Sequence, residues 1–152
     1  MISATWPIFI TGDIYLTEGI CCIGGYHSSN GSQPGGQTYA YSTYVDSPGA
    51  FSQDVGALSH EIGEWMDDPI GSNPTPLWGH TGQVSGCQSN LEVGDPLSGT
   101  EFPALLAANG FTYHMQELAF FSWFYRQSPT LGVNNWFSDN GTFTSDAGAV
   151  CH

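Results

Sequence analysis

The chain has almost no positive charge. Its 152 residues include no lysine and one arginine, Arg126, against fourteen acidic residues, for a formal net charge of -13. Nucleic acids and anionic membrane surfaces are held by basic patches, so both are excluded as partners. No apolar run is long enough to span a membrane. The N-terminus has no basic residue ahead of a long apolar stretch, so no secretory signal peptide is read in it. No Cys-x-x-Cys pair is present, which argues against a cysteine-built zinc site. No Asp-x-Asp-x-Asp-Gly loop is present, which argues against the common calcium-binding loop. There is no internal repeat.

Hydrophobic residues make up 40% and aromatic residues 14% of the chain, enough to bury a core rather than remain disordered. Twenty glycines and nine prolines imply many turns. The four cysteines are Cys21, Cys22, Cys87 and Cys151. An even count in a lysine-free chain rich in Gly, Ser, Thr and aromatics points to an oxidising, extracellular setting. A bridge between the adjacent Cys21 and Cys22 would be strained. Each is therefore expected to pair with Cys87 or Cys151.

Local patterns predict a buried strand over 6–10, extended by 13–17 past a bend at Gly12, and a second strand over 20–27. A Gly/Ser/Pro loop over 28–36 leads into a tyrosine- and threonine-rich strand over 37–45, so 20–45 reads as a hairpin. Asp46-Ser47-Pro48-Gly49-Ala50 breaks that strand. A helix is predicted over roughly 51–66, with Val55, Leu58, Ile62 and Trp65 facing the core. Asp67-Asp68-Pro69 stops it. Gly56 and Gly63 weaken this helix and mark close approach of another segment. Residues 69–100 read as irregular. A short helix is expected over 103–108 and a long one over 112–127. The result is an α+β fold: one loop-rich domain over 1–152, with a small twisted sheet packed on the first helix and on a second long helix.

The chemistry concentrates in Ser59-His60-Glu61-Ile62-Gly63-Glu64-Trp65. Four residues apart on a helix, His60 and Glu64 share a face, where an imidazole and a carboxylate can hold one divalent metal. Glu61 sits beside His60 on the same exposed edge and can act as general base on a water. This is the logic of His-Glu-x-x-His zinc peptidases with Glu64 in place of the second histidine. The bland alternative is a surface i,i+4 pair worth only about 0.3–0.5 kcal/mol. Further carboxylates follow in Glu92-Val93-Gly94-Asp95. His80 and His114 are rival ligands or helpers, whereas His27 and His152 carry no such signal.

The segment from Ser59 to Pro69, with Glu92-Val93-Gly94-Asp95-Pro96 downstream and Trp78 between, resembles a group of secreted bacterial and fungal zincin-like proteins. They share a His-Glu-x-x-Glu helix, an Asp-Pro after it, a tryptophan loop and Glu-[Ile/Val]-Gly-Asp. The match is good over roughly 55–97 and loose elsewhere. It implies a zincin-like fold and a secreted metallopeptidase acting on peptide or protein substrates. His60 and Glu64 would be ligands of zinc or another divalent metal, with Glu61 as base. The third ligand is Asp95 or Glu92: loop-borne aspartate ligands favour Asp95, and whichever does not bind would orient a ligand. His114 is a candidate to stabilise a transition-state oxyanion. The tyrosine-rich strand 37–45 is a candidate edge for an extended peptide. The competing readings are a catalytically silent extracellular binding or structural module, and a glycoside hydrolase using paired carboxylates, for which Asp67 or Glu92 could serve.

Overall fold

The computed structural model describes residues 5–19, 21–31, 35–46, 52–129 and 134–151. The break at residues 47–50 and the terminal His152 lie outside them. Among the described residues the fold is α+β and loop-rich, with a small mixed three-stranded sheet, two two-stranded hairpins and two α-helices.

Strands β1 (Ile8–Gly12), β2 (Gly25–Asn30) and β3 (Gln37–Tyr44) form the sheet in the order β1-β3-β2. The expected hairpin is present, with β2 antiparallel to β3 from Gly25 opposite Ser42 to Asn30 opposite Gln37. β1 runs parallel to β3. Two expectations change here. The tyrosine-rich strand is central, with both edges paired, so it offers no free edge to a peptide. β1 is not buried, since Phe9 and Ile10 are exposed on an edge strand.

The predicted first helix is α1 (Gly56–Asp67). It packs on β2 and β3, and Trp65 stacks on Trp6 at 4.0 Å while donating to Thr38 Oγ1 at 2.9 Å. A methyl group on Gly63 would come within 2.5 Å of Leu118, which is the close approach expected at that position. The buried face is not the predicted apolar stripe. Val55, Leu58, Ile62 and Trp65 are half-buried, while Gly56, Ala57, His60, Glu61 and Glu64 are buried. Glu61 is thus not on an exposed edge.

Residues 69–100 are more ordered than expected. They hold an antiparallel hairpin of β4 (Pro74–Gly79) and β5 (Cys87–Asn90), then a 3-10 turn over Asp95–Leu97. The short helix expected over 103–108 is instead half of a tight hairpin. β6 (Leu105–Leu106) pairs with β7 (Thr112–Tyr113), because the Asn109-Gly110 turn brings Ala107 N–H onto Phe111 O at 2.8 Å. The second long helix shrinks to α2 (Phe121–Tyr125). The reason is visible in the hydrogen bonds. The N–H groups of His114, Gln116, Glu117 and Ala119 go to Asp54, Ser59, Thr100 and Val93, which takes these four donors out of an i−4 ladder.

The apolar core lies under β4, β5 and α2. Trp78, Trp123 and Phe124 meet edge-to-face, and Leu91, Val93, Leu97, Phe137 and Ala149 fill in around them. Cys87 is bridged to Cys151, stapling the C-terminal segment to β5. Cys21 and Cys22 are bridged to each other rather than to distant partners. Cys87 and Cys151, with Cα atoms 5.8 Å apart, satisfy one another and leave the adjacent pair only itself.

Candidate metal centre

Three segments build the site. α1 supplies His60, Glu61 and Glu64 on its inner face. β2 runs alongside and supplies His27. The stretch after β5 supplies Glu92 and Asp95. There Leu91 and Val93 are sunk into the core, and that anchorage fixes the carboxylates interleaved with them.

His60 Nε2 lies 3.0 Å from Glu64 Oε1 and 3.4 Å from Asp95 Oδ1. These three side chains offer ligand atoms all within 4.8 Å of one another, and all three are buried. Of the two candidates for third partner, Asp95 joins the His60–Glu64 pair. Glu92 instead faces His27, at 3.9 Å from its Nε2, because it points to the other end of the site. A second group of three is His27, Glu61 and Glu64. His27 Nδ1 sits 3.3 Å from Glu61 Oε2 and 3.6 Å from Glu64 Oε2. Sequence reasoning passed over His27, and only its alternation with Tyr26 on a strand hinted that it points inward.

Surrounding groups hold the donors in place. His60 Nδ1 meets Gln116 Oε1 at 3.0 Å, and Gln116 Nε2 donates to Gly94 O at 2.9 Å. His27 Nε2 meets the carbonyl of Asp68 at 2.9 Å. The N–H groups of Gly94 and Asp95 donate to Glu64 Oε1, at 3.1 and 3.2 Å. The Gln83 amide donates to Asp95 Oδ1. Asp68, which stops the helix, uses its carboxylate on the N–H groups of Ser72 and Asn73. Outward from the donors, the Glu61 carboxyl lies against Gly25: a methyl group there would approach Oε1 to 2.8 Å.

Burial and charge pull these groups in opposite directions. Burial drives the His27 ring down, but Glu61, Glu64 and Glu92 outweigh it and raise its pKa to about 10. Burial also opposes protonated His60, and Glu64 and Asp95 reverse this and raise it well above its usual value. Glu64 is pushed up by burial, yet the His60 and His27 rings hold it well below the carboxylate range. Glu92 rises to about 9 through burial and the Glu64 charge. Glu61 and Asp95 are raised, chiefly by burial.

The other histidines stand apart. His114 is paired with Asp54, N–H to Oδ1 at 2.8 Å and Nδ1 to Oδ2 at 2.7 Å, just ahead of α1. It is not among the residues lining the cavity at Glu61. His80 lies beside Cys87 and Cys151, whose sulfurs are bonded to each other and so cannot act as thiolate ligands. On one side of Glu61 a cavity of about 600 Å³ opens, walled by Cys22, Ile23, Ala57, Gln83, Gln88 and Gln116 among others.

A buried imidazole and two buried carboxylates converging on one point form a donor set of the kind that binds divalent transition metals. Among the described residues, no helix is long and apolar enough to cross a membrane. Compared with known proteins, the chain matches no family model, no curated protein sequence and no solved structure.

Proposed function

We propose that this chain is a metal-dependent hydrolase that cleaves peptide bonds in peptide or protein substrates. His60, Glu64 and Asp95 hold a divalent cation, zinc foremost, and Glu61 serves as general base. The observation that carries this reading is the convergence of three buried ligand atoms beside Glu61, at the edge of a cavity large enough for part of a peptide. The resemblance of the His-Glu-x-x-Glu helix and the Glu-Val-Gly-Asp segment to secreted zincin-like proteins agrees with it. The two disulfide bridges suit an extracellular enzyme.

A bound cation would supply Lewis acidity, lowering the pKa of water and polarising a carbonyl. The chain's own residues do the rest. His60 is held by Gln116 so that Nε2 faces Glu64 and Asp95. Glu61 accepts a proton from the attacking water as its oxygen bonds to the carbonyl carbon. Glu61 then returns that proton to the leaving nitrogen as the C–N bond breaks. The glycoside-hydrolase reading is weaker. The buried carboxylates are gathered around two imidazoles, and that chemistry does not call for them.

Glu61→Gln tests the proposal. The variant should fold and keep the ion at His60, Glu64 and Asp95, and lose about 10²-fold or more of its peptide hydrolysis. Full activity on casein in this variant would eliminate Glu61 as base. Wild-type protein inert on peptides from acid to neutral pH with zinc supplied would favour the silent module.

A further inference from the structure

We propose that the centre holds two cations rather than one: a second site is built on His27 and Glu61, and the Glu64 carboxylate bridges it to the first. This rests on the metal-dependent reading above and extends it.

The two histidines have the same arrangement. Gln116 Nε2 donates to the Gly94 carbonyl, so Oε1 is the atom turned to His60, and His60 Nδ1 must carry the hydrogen. Nε2 then faces Glu64 Oε1 and Asp95 Oδ1. His27 Nε2 faces the Asp68 carbonyl, which can only accept, so Nε2 carries the hydrogen there. Nδ1 then faces Glu61 Oε2 and Glu64 Oε2. Each ring is thus held from outside the cluster by one nitrogen, so that the other nitrogen is aimed at two carboxylate oxygens. A cation between each ring nitrogen and its carboxylate oxygens would take the place of the proton that otherwise joins them. Glu64 offers a different oxygen to each ring, which is how a carboxylate bridges two ions. A cavity of about 190 Å³ lies among His27, His60, Glu61, Glu64, Glu92 and Asp95.

Charge balance points the same way. Glu61, Glu64, Glu92 and Asp95 are all buried. The chain's single arginine, Arg126, is bonded to the carbonyls of Leu77 and Ala149, and there is no lysine. Four carboxylates, once deprotonated, match the charge of two divalent cations held with neutral rings, and no lysine or arginine stands beside them to do so instead. With Glu61 Oε2 turned to the second ion, its Oε1, over Gly25, stays available to the larger cavity. Each site would have one imidazole and carboxylates, a set that takes Zn²⁺, Mn²⁺ or Co²⁺.

The test strips the full chain with a chelator, reloads it with Zn²⁺ or Mn²⁺ alone, and counts ions by mass spectrometry of the desalted protein. Wild type should hold two zinc ions per chain, and His27→Gln one. In the manganese form, wild type should give the electron paramagnetic resonance signal of an exchange-coupled pair. His27→Gln should give that of an isolated ion. The wild-type measurements stand alone if the variant fails to fold. One ion per chain in wild type, lost in His60→Gln and kept in His27→Gln, overturns the second site and leaves the first. Two uncoupled ions, or no loss in a folded His27→Gln, also overturn it. No bound ion at all overturns this proposal together with the reading it rests on.

Discussion

Gly94→Ala should weaken the metal centre and cost the fold a modest part of its stability. Gly94 has φ −86° and ψ −32°, a conformation open to alanine. By itself the exchange would stabilise by about 0.4–1 kcal/mol, through a less flexible unfolded chain. The added methyl, however, would lie 2.7 Å from Cγ and Nδ1 of His60 and 2.8 Å from Cε1. Carbon atoms in contact sit about 3.5–4.0 Å apart, so the ring must retreat by roughly 1 Å. It has little room to do so, with Gln116 on Nδ1 and Glu64 and Asp95 on Nε2. Overpacking of this kind costs about 1–3 kcal/mol, for a net loss of roughly 1–2 kcal/mol. Zinc affinity should fall further, by about 10–100-fold, as when groups that orient a ligand are removed. Urea melts of the metal-free protein and zinc titration against a competing chelator measure the two effects separately. Gly86→Ala, where a methyl group meets nothing within 4 Å, is the control. Wild-type zinc affinity in a folded Gly94→Ala would refute the idea that His60 is held against Gly94 for metal binding.

Away from the centre, Glu117 is buried, and its carboxylate accepts from Ser138 Oγ, Thr142 Oγ1 and the N–H groups of Asn140 and Thr142. Glu117→Ala would orphan these donors and should cost about 3–5 kcal/mol in a urea melt, leaving zinc stoichiometry unchanged. Burial pushes the Glu117 carboxyl up, but the four donors prevail and hold it below its usual value. Its stabilisation is therefore fully present above the unfolded-state pKa of about 4.3 and lost as pH falls through the lower folded value. The stability gap between wild type and Glu117→Gln should shrink accordingly, and a constant gap down to the acid limit would contradict this. The Cys87–Cys151 bridge spans a sequence separation of 64. Replacing both by serine should cost up to about 4 kcal/mol, whereas removing the Cys21–Cys22 bridge, which closes almost no loop, should cost roughly 1 kcal/mol. Equal losses in denaturant melts would count against loop closure as the cause.

What the sequence determined by itself is local. The pairing of His60 with Glu64 follows from helical geometry, since residues four apart share a face whatever surrounds the helix. The stop at Asp67-Asp68-Pro69 and the β2–β3 hairpin around a Gly/Ser/Pro loop are set by backbone preferences of the residues themselves. Tertiary structure decided the rest. The helical spacing in residues 112–127 was real, but most of that segment is not helix, because its backbone donors find partners on Asp54, Ser59, Thr100 and Val93. Glu61 is buried because β2 lies across the polar face of α1, and no periodicity in α1 records which face its neighbours will cover. Asp95 is chosen over Glu92 for His60 by the way Leu91 and Val93 sink into the core. His27 meets Glu61 across thirty-four positions of chain, a distance that only the packing of strand on helix can close.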